Sequence, residues 1–313
     1  MIDVKKLIVF ALIGFVVQLI DGSLGMAYGA TSTSLLLLFG IAPAVASASV
    51  HMAEGVTTAA SGLSHLKFGN VDKTVVVRLI IPGSIGAFAG ACFLSNLPGE
   101  LAKPYIAAFL FLLGIYVMAR FLLGKENAVK SGKRPPARFL VPLGLVAGFA
   151  DSTGGGGWGP LSTPILLSRN DMETRKVIGT VDTSEFAIAV SATLGFLISL
   201  GPEKYHWPWV AALMLGGIVA APIAAWLVRI IPSRLLGVLV GGLIIVTNAK
   251  TMLNSLEWIP VSWHAPIYGF LYLIWAGCVA LAVRKLIANR KRDCFLLVPI
   301  KREIKNHESV HPE

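Results

Sequence analysis

Charge is scarce in this 313-residue chain: Asp, Glu, Lys and Arg make up 14% of it, against 55% hydrophobic residues and a mean hydropathy of +0.73. Soluble domains carry roughly a quarter charged residues, so an ordinary water-soluble enzyme is excluded. Cysteine is nearly absent. Cys92, Cys278 and Cys294 have no metal-ligand spacing and cannot build a disulfide framework, which argues against zinc or redox chemistry. No G-x-x-x-x-G-K-[ST] loop occurs, which argues against an ATP-driven machine in this chain alone. Gly154, Gly156 and Gly159 match G-x-G-x-x-G literally, but no strand precedes them and no βαβ frame surrounds them. Neither a nucleophile triad nor a cofactor motif is present, and the expectation is no enzyme and no cofactor.

What is present is long apolar runs. They fall at about 7–20, 30–41, 47–66, 79–95, 104–123, 139–150, 158–168, 178–200, 209–229, 235–253 and 264–288. Runs of this length suit membrane helices and not strands of roughly ten residues, so the chain reads as an all-α polytopic membrane protein. Four runs, 7–20, 30–41, 139–150 and 158–168, are too short to span and read as half-helices in two pairs, each broken by glycine. The N-terminal lysines precede an apolar run without a small-residue cleavage site, so this segment is read as the first membrane segment and not a removed signal peptide.

The chain also repeats itself. Asp21-Gly22-Ser23-Leu24-Gly25-Met26-Ala27-Tyr28-Gly29 lies over Asp151-Ser152-Thr153-Gly154-Gly155-Gly156-Gly157-Trp158-Gly159 at an offset of 130, and Glu54 matches Glu185 at 131. Residues 1–123 and 139–253 are therefore read as two repeats. Residues 124–138 form a basic linker, 254–288 an extra transmembrane helix and 289–313 a tail. If each broken pair makes no net crossing, 22 of the 27 lysines and arginines fall on one side, with the linker and tail. That asymmetry favours two inverted repeats with broken half-helix pairs plus one extra C-terminal helix, linker and tail cytoplasmic. The net charge of +10 is then a topology signal, and no nucleic-acid partner is expected.

Ionisable groups inside apolar runs cost several kcal/mol and are functional candidates by default. Asp21, Glu54, Asp151, Asp182 and Glu185 are such groups, and four of the five occur as repeat-matched pairs. His51, Glu54, Thr58, Ser61 and His65 recur three and four apart, one polar face of a helix. Asp21, His51, Glu54, Asp151, Asp182 and Glu185 are read as a proton-coupling set. The plainer reading is that they pair within the bundle or cap helices.

The glycine breaks are the second constellation. Gly154 to Gly157 precede Trp158-Gly159-Pro160, with Pro160 suited to the first helical position, while Thr31 or Ser32 can serve as N-cap in the first repeat. Two helix N-termini meeting at midplane would offer free backbone N–H groups to an anion. The expected binding residues are Gly25, Tyr28, Gly29, Thr31, Ser32 and Thr33 from one break. From the other they are Gly155, Gly156, Gly157, Trp158, Gly159, Ser162 and Thr163. The plainer reading is glycine serving only close helix packing.

With Gly155-Gly156-Gly157-Trp158-Gly159-Pro160-Leu161-Ser162-Thr163-Pro164 and His65-Leu66-Lys67-Phe68-Gly69-Asn70-Val71-Asp72, the chain resembles the sulfite exporter TauE/SafE-like family over nearly all of residues 7 to 253. The resemblance implies a secondary transporter of small sulfur-containing anions, such as sulfite, thiosulfate or organosulfonates, in a bacterial cytoplasmic membrane. Its partners would be the anion, protons as coupling ion and the bilayer. Glu54 with Glu185, and Gly25-Met26-Ala27-Tyr28 in place of a second glycine run, depart from the family pattern. The alternative is a cation transporter using the intramembrane carboxylates as ligands.

Overall fold

A computed structural model describes residues 4–24, 26–124, 134–169, 171–205, 207–227, 233–255 and 259–308. No strand occurs among them. The helices are α1 (Val4–Leu24), α2 (Tyr28–Leu38), α3 (Pro43–Lys67), α4 (Lys73–Ser95), α5 (Gly99–Leu123), α6 (Ala137–Gly154), α7 (Trp158–Arg169), α8 (Thr174–Leu200), α9 (Trp207–Leu227), α10 (Ser233–Ser255) and α11 (His264–Glu308). Seven of them, α1, α4, α5, α8, α9, α10 and α11, are long and apolar enough to cross a membrane, and the protein is a multi-pass membrane protein. The linker expected at 124–138 falls mostly on 125–133, outside the described residues.

Two expected half-helices are longer than the apolar runs suggest. The run 7–20 belongs to the 21-residue α1, about 31 Å at 1.5 Å per residue, and 139–150 to the 18-residue α6, about 27 Å. Both helices continue past the last apolar residue because Asp21 and Asp151 point into protein, where they are 0% and 1% exposed, and not into lipid. Only α2 and α7, with 11 and 12 residues, are short. The extra helix also outruns its expected end, since α11 continues to Glu308.

Glycine decides how closely the long helices pack. The strongest pairings are α4 with α6, α1 with α9 and α5 with α10, followed by α8 with α4 and with α3. Along α4, a Cβ on Gly83 would stand 2.7 Å from the Trp158 ring, and Gly86 and Gly90 lie directly on the α6 backbone at Leu145 and Phe149. In the same way Gly14 of α1 and Gly216 of α9 face each other's helix backbone. Exchanging α1–α5 with α6–α10 turns α1·α9 into α6·α4 and α4·α8 into the weaker α9·α3, while α3·α8 and α5·α10 are unchanged.

Two apolar layers flank the centre. One joins Phe10, Val17, Leu37, Leu110, Leu213 and Ile244; the other joins Val75, Leu79, Leu140, Ile188 and Phe196. Between them run the polar face of α3 and its counterpart on α8, which is where α2 and α7 begin. At one end, Asp72 caps α4 by accepting from the Thr74 and Val75 amides and pairs with Arg134 at 2.8 Å. Its own amide donates to Thr180 Oγ1 at 2.9 Å, which ties the α3–α4 turn to α8. Partial burial alone would raise the Asp72 carboxyl, but Arg134 and the two amides hold it below its usual value.

Candidate functional site

The two chain breaks touch. Gly155 and Gly156 have φ of +69° and +153°, conformations that favour glycine, and Ala27 in the other break has φ +98°. A Cβ on Gly29 would lie 2.7 Å from Gly156 Cα and 2.9 Å from the Gly155 carbonyl, and one on Gly156 would collide with the backbone joining Gly29 to Ala30. Thr33 Oγ1 donates to the Gly155 carbonyl at 2.5 Å, so the second turn of α2 is pinned to the break before α7. Gly25 lies outside the described residues.

The helix starts are not free. Asp151 Oδ1 accepts from the Gly157 and Trp158 amides at 2.7 and 2.9 Å, and Asp21 Oδ1 accepts from the Tyr28 amide at 3.2 Å. The expectation of open N–H groups with hydroxyl caps is corrected accordingly. Thr31 and Ser32 lie inside α2, whose preceding residue Ala27 supplies no side-chain cap, and Pro160 is the third residue of α7 rather than its first. The cause is reach: α1 and α6 run on far enough to aim a carboxylate at the next helix start, where the dipole favours negative charge.

Five carboxylates converge here as two clusters. His51 and Glu54 of α3 meet Asp151 of α6, and Asp182 and Glu185 of α8 meet Asp21 of α1; within each triad one ligand atom per residue lies within 4.8 Å of the others. The triads correspond under the same exchange of helices, and each draws its aspartate from one half and its other two residues from the other. In the first, His51 Nε2 donates to Asp151 Oδ2 at 3.0 Å while Nδ1 donates to the Ser47 carbonyl at 2.8 Å. Both ring nitrogens face acceptors, the geometry of an imidazolium. In the second, Asp182 holds the place that His51 has in the first. His65 stands 3.8 Å from Asp182, with its Nε2 3.1 Å from the Gly22 carbonyl and its Nδ1 3.2 Å from the Asn70 side-chain amide.

An unusual number of buried polar atoms around these clusters lack a hydrogen-bond partner. They include the hydroxyls of Tyr28, Thr31, Ser32 and Ser162, both oxygens of Glu54 and Asp182, Asp21 Oδ2, Glu185 Oε2 and both amide atoms of Gln18. Native interiors leave few such atoms, so their concentration at one place makes it the candidate site. Trp158 is fully buried and donates its indole N–H to the Val181 carbonyl at 3.2 Å; Gly159 and Thr163 are buried beside it. Gln18 was missed in the sequence, although a polar residue three before Asp21 in an apolar run was a readable signal. Asn248 of α10, which donates to Ser34 of α2 at 2.6 Å, carried no comparable signal. A separate cavity of about 590 Å³ between α4, α5 and α6 is lined by Phe93, Leu97, Tyr105, Phe109 and Phe149 and is too apolar to hold an ion.

Comparison with known proteins agrees with this architecture. Residues 10–251 match the family described as sulfite exporter TauE/SafE. The chain is 65% identical over 288 residues to the probable membrane transporter protein YtnM of Bacillus subtilis (strain 168), covering 91% of this chain and 95% of that one. It is 27% identical over 231 residues to the probable membrane transporter protein y4hK of Sinorhizobium fredii (strain NBRC 101917 / NGR234), covering 71% and 92%. No solved structure matches the chain.

Proposed function

The chain belongs to the sulfite exporter TauE/SafE family of membrane transporters, and from that premise we propose that it carries a small sulfur-containing oxyanion across a bacterial cytoplasmic membrane by alternating access, with protons as coupling ion. The observation that carries the reading is the set of unpaired buried hydroxyls on the two short helices. Tyr28, Thr31, Ser32 and Ser162 each hold an uncommitted O–H, which can donate to an oxyanion.

The two halves act as inverted repeats. The exchange of helix pairings supports two equivalent halves, and the one-sided placement of lysine and arginine supports their inversion. An oxyanion entering between α2 and α7 meets the carboxylates of Asp21, Glu54, Asp151 and Glu185. Ionised, these groups repel it and compete for the same amides; protonated, they donate to it. Loading of the anion and protonation of the site therefore favour each other, which is symport or its exchange equivalent. Within the first cluster, the hydrogen bond from His51 to Asp151 offers a proton a path.

Counterflow in proteoliposomes tests the substrate class. Vesicles preloaded with sulfite, thiosulfate or an alkylsulfonate should accumulate the labelled anion, and an imposed pH gradient should drive net uptake. Absence of counterflow with every sulfur oxyanion, in protein that remains folded, would overturn the assignment.

A further inference from the structure

We propose that Asp21, Asp182 and Glu185 form a binding site for a hard metal cation, and that in the corresponding cluster the His51 imidazolium stands where this cation binds. The comparison between the clusters carries the argument. They occupy equivalent places on equivalent helices, yet one contains two carboxylates and an imidazole hydrogen-bonded to one of them, whereas the other contains three carboxylates. His51 and Asp182 are the positions that differ, at the same offset of 131 that relates Glu54 to Glu185.

Three ionised carboxylates within one small, dry volume need compensation, by protons or by a bound cation. Asp182 and Asp21 are both 0% exposed and Glu185 3%, so bulk solvent does not supply it. The His65 ring stands 3.8 Å from Asp182 with its Nε2 against the Gly22 carbonyl at 3.1 Å, outside the triad itself. Meanwhile Asp21 Oδ2, both oxygens of Asp182 and Glu185 Oε2 accept no hydrogen bond. Those are four uncommitted oxygens from three side chains, and Gln18, one turn before Asp21, adds an uncommitted amide oxygen.

The spacing fits the chemistry. Two oxygens bound to one calcium or sodium ion at about 2.4 Å lie at most about 4.8 Å apart, and the three carboxylates meet that limit. All the available ligands are oxygen, with no thiolate and no free imidazole, which selects a hard cation over zinc or copper. Sodium and a divalent ion such as calcium share this chemistry. Sodium would leave more negative charge behind and goes with one retained proton; a divalent ion brings the triad to the balance that His51 gives its counterpart.

As a coupling ion this cation deepens the transport reading, but its binding stands apart from it and is measured without any anion. The full-length protein in detergent is melted in choline chloride, then with sodium, calcium or magnesium chloride at constant ionic strength. One of these cations should raise the melting temperature saturably, by about 5 °C at concentrations well above its dissociation constant, and which one does so separates the monovalent from the divalent ion. Asp182→Asn and Glu185→Gln should abolish the response. Asp182→His, which recreates the imidazole of the other cluster, should melt high without added cation and ignore it, so a folding failure of the Asn variant does not leave the matter open. His51→Asp should add a second saturable site. Equal melting in all salts, or an undiminished cation response in Asp182→His, overturns the proposal, whatever the outcome of the counterflow assay.

Discussion

Replacing Gly29 by alanine tests the contact on which the whole centre depends. The new methyl would sit 2.7 Å from Gly156 Cα, 2.9 Å from the Gly155 carbonyl oxygen and 3.1 Å from Glu54 Oε1. Carbon atoms pack at about 3.5–4.0 Å, so α2 and the facing break must separate by roughly 1 Å. Overpacking of this kind costs about 1–3 kcal/mol, because the obstructing atoms are backbone and cannot rotate away. Alanine returns less than about 1 kcal/mol of helix propensity, and less still in a first turn. The net loss of about 1–2 kcal/mol lowers the melting temperature by roughly 3–8 °C, and separating the breaks slows anion counterflow. Gly277→Ala on α11 is the control, since nothing lies within 4 Å of its methyl position. It should melt at or slightly above the parent temperature. If Gly29→Ala melts with Gly277→Ala, the two breaks are not in contact and the reasoning fails.

Ser32→Ala and Ser162→Ala remove hydroxyls that make no hydrogen bond, so stability should change by less than about 0.5 kcal/mol while the KM for the anion rises; a fall in stability with unchanged KM would make them structural. Asp151→Ala strands the Gly157 and Trp158 amides and the His51 ring, a loss of about 3 kcal/mol or more in thermal unfolding that Asp151→Asn should partly restore. Glu54→Gln and Glu185→Gln should flatten the pH dependence of counterflow, and an unchanged profile would remove both from proton coupling. Asp72, held below its usual carboxyl value chiefly by Arg134 and two amides, stabilises the fold above its unfolded-state value. That contribution disappears as pH falls through its folded value, so unfolding followed below about pH 4 should show a step that Asp72→Asn lacks.

The helices were legible because an apolar run is a local property. So were the break positions, since only glycine-rich sequence tolerates Gly155 and Gly156 at positive φ. The acidic residues were legible one by one, as ionisable groups where lipid forbids them, and in pairs through the repeat. What sequence could not supply was direction in space. Nothing in Asp151 itself says that its carboxylate reaches the Gly157 and Trp158 amides, six and seven residues on. The lengths of α1 and α6 were underestimated for the same reason: Gln18, Asp21 and Ser152 look like the end of a membrane segment until packing hides them. The pairing of α1 with α9 and α4 with α6 rests on Gly14, Gly86 and Gly216 meeting backbone, and a glycine in an apolar helix does not name its partner.

That crossed pairing has a mechanical consequence. Each triad takes its aspartate from one set of five helices and its other two residues from the other set, so neither cluster survives a displacement of one set against the other. When α1 moves relative to α8, Asp21 leaves Asp182 and Glu185. Under the exchange symmetry the same movement draws Asp151 on α6 away from His51 and Glu54 on α3. Those two aspartates also hold the starts of α2 and α7, where the hydroxyls gather. On the proposed transport reading, one motion would therefore set the compensating charge in the triads, the closure of the breaks and the readiness for an anion. Cross-linking supplies the direct check: a disulfide between α1 and α8, introduced beside Asp21 and Asp182, should stop counterflow and protect the α3–α6 contact from modification of a cysteine placed at Ser47. Reduction should restore both together. Recovery of transport without renewed access at Ser47 would mean that the two clusters open independently.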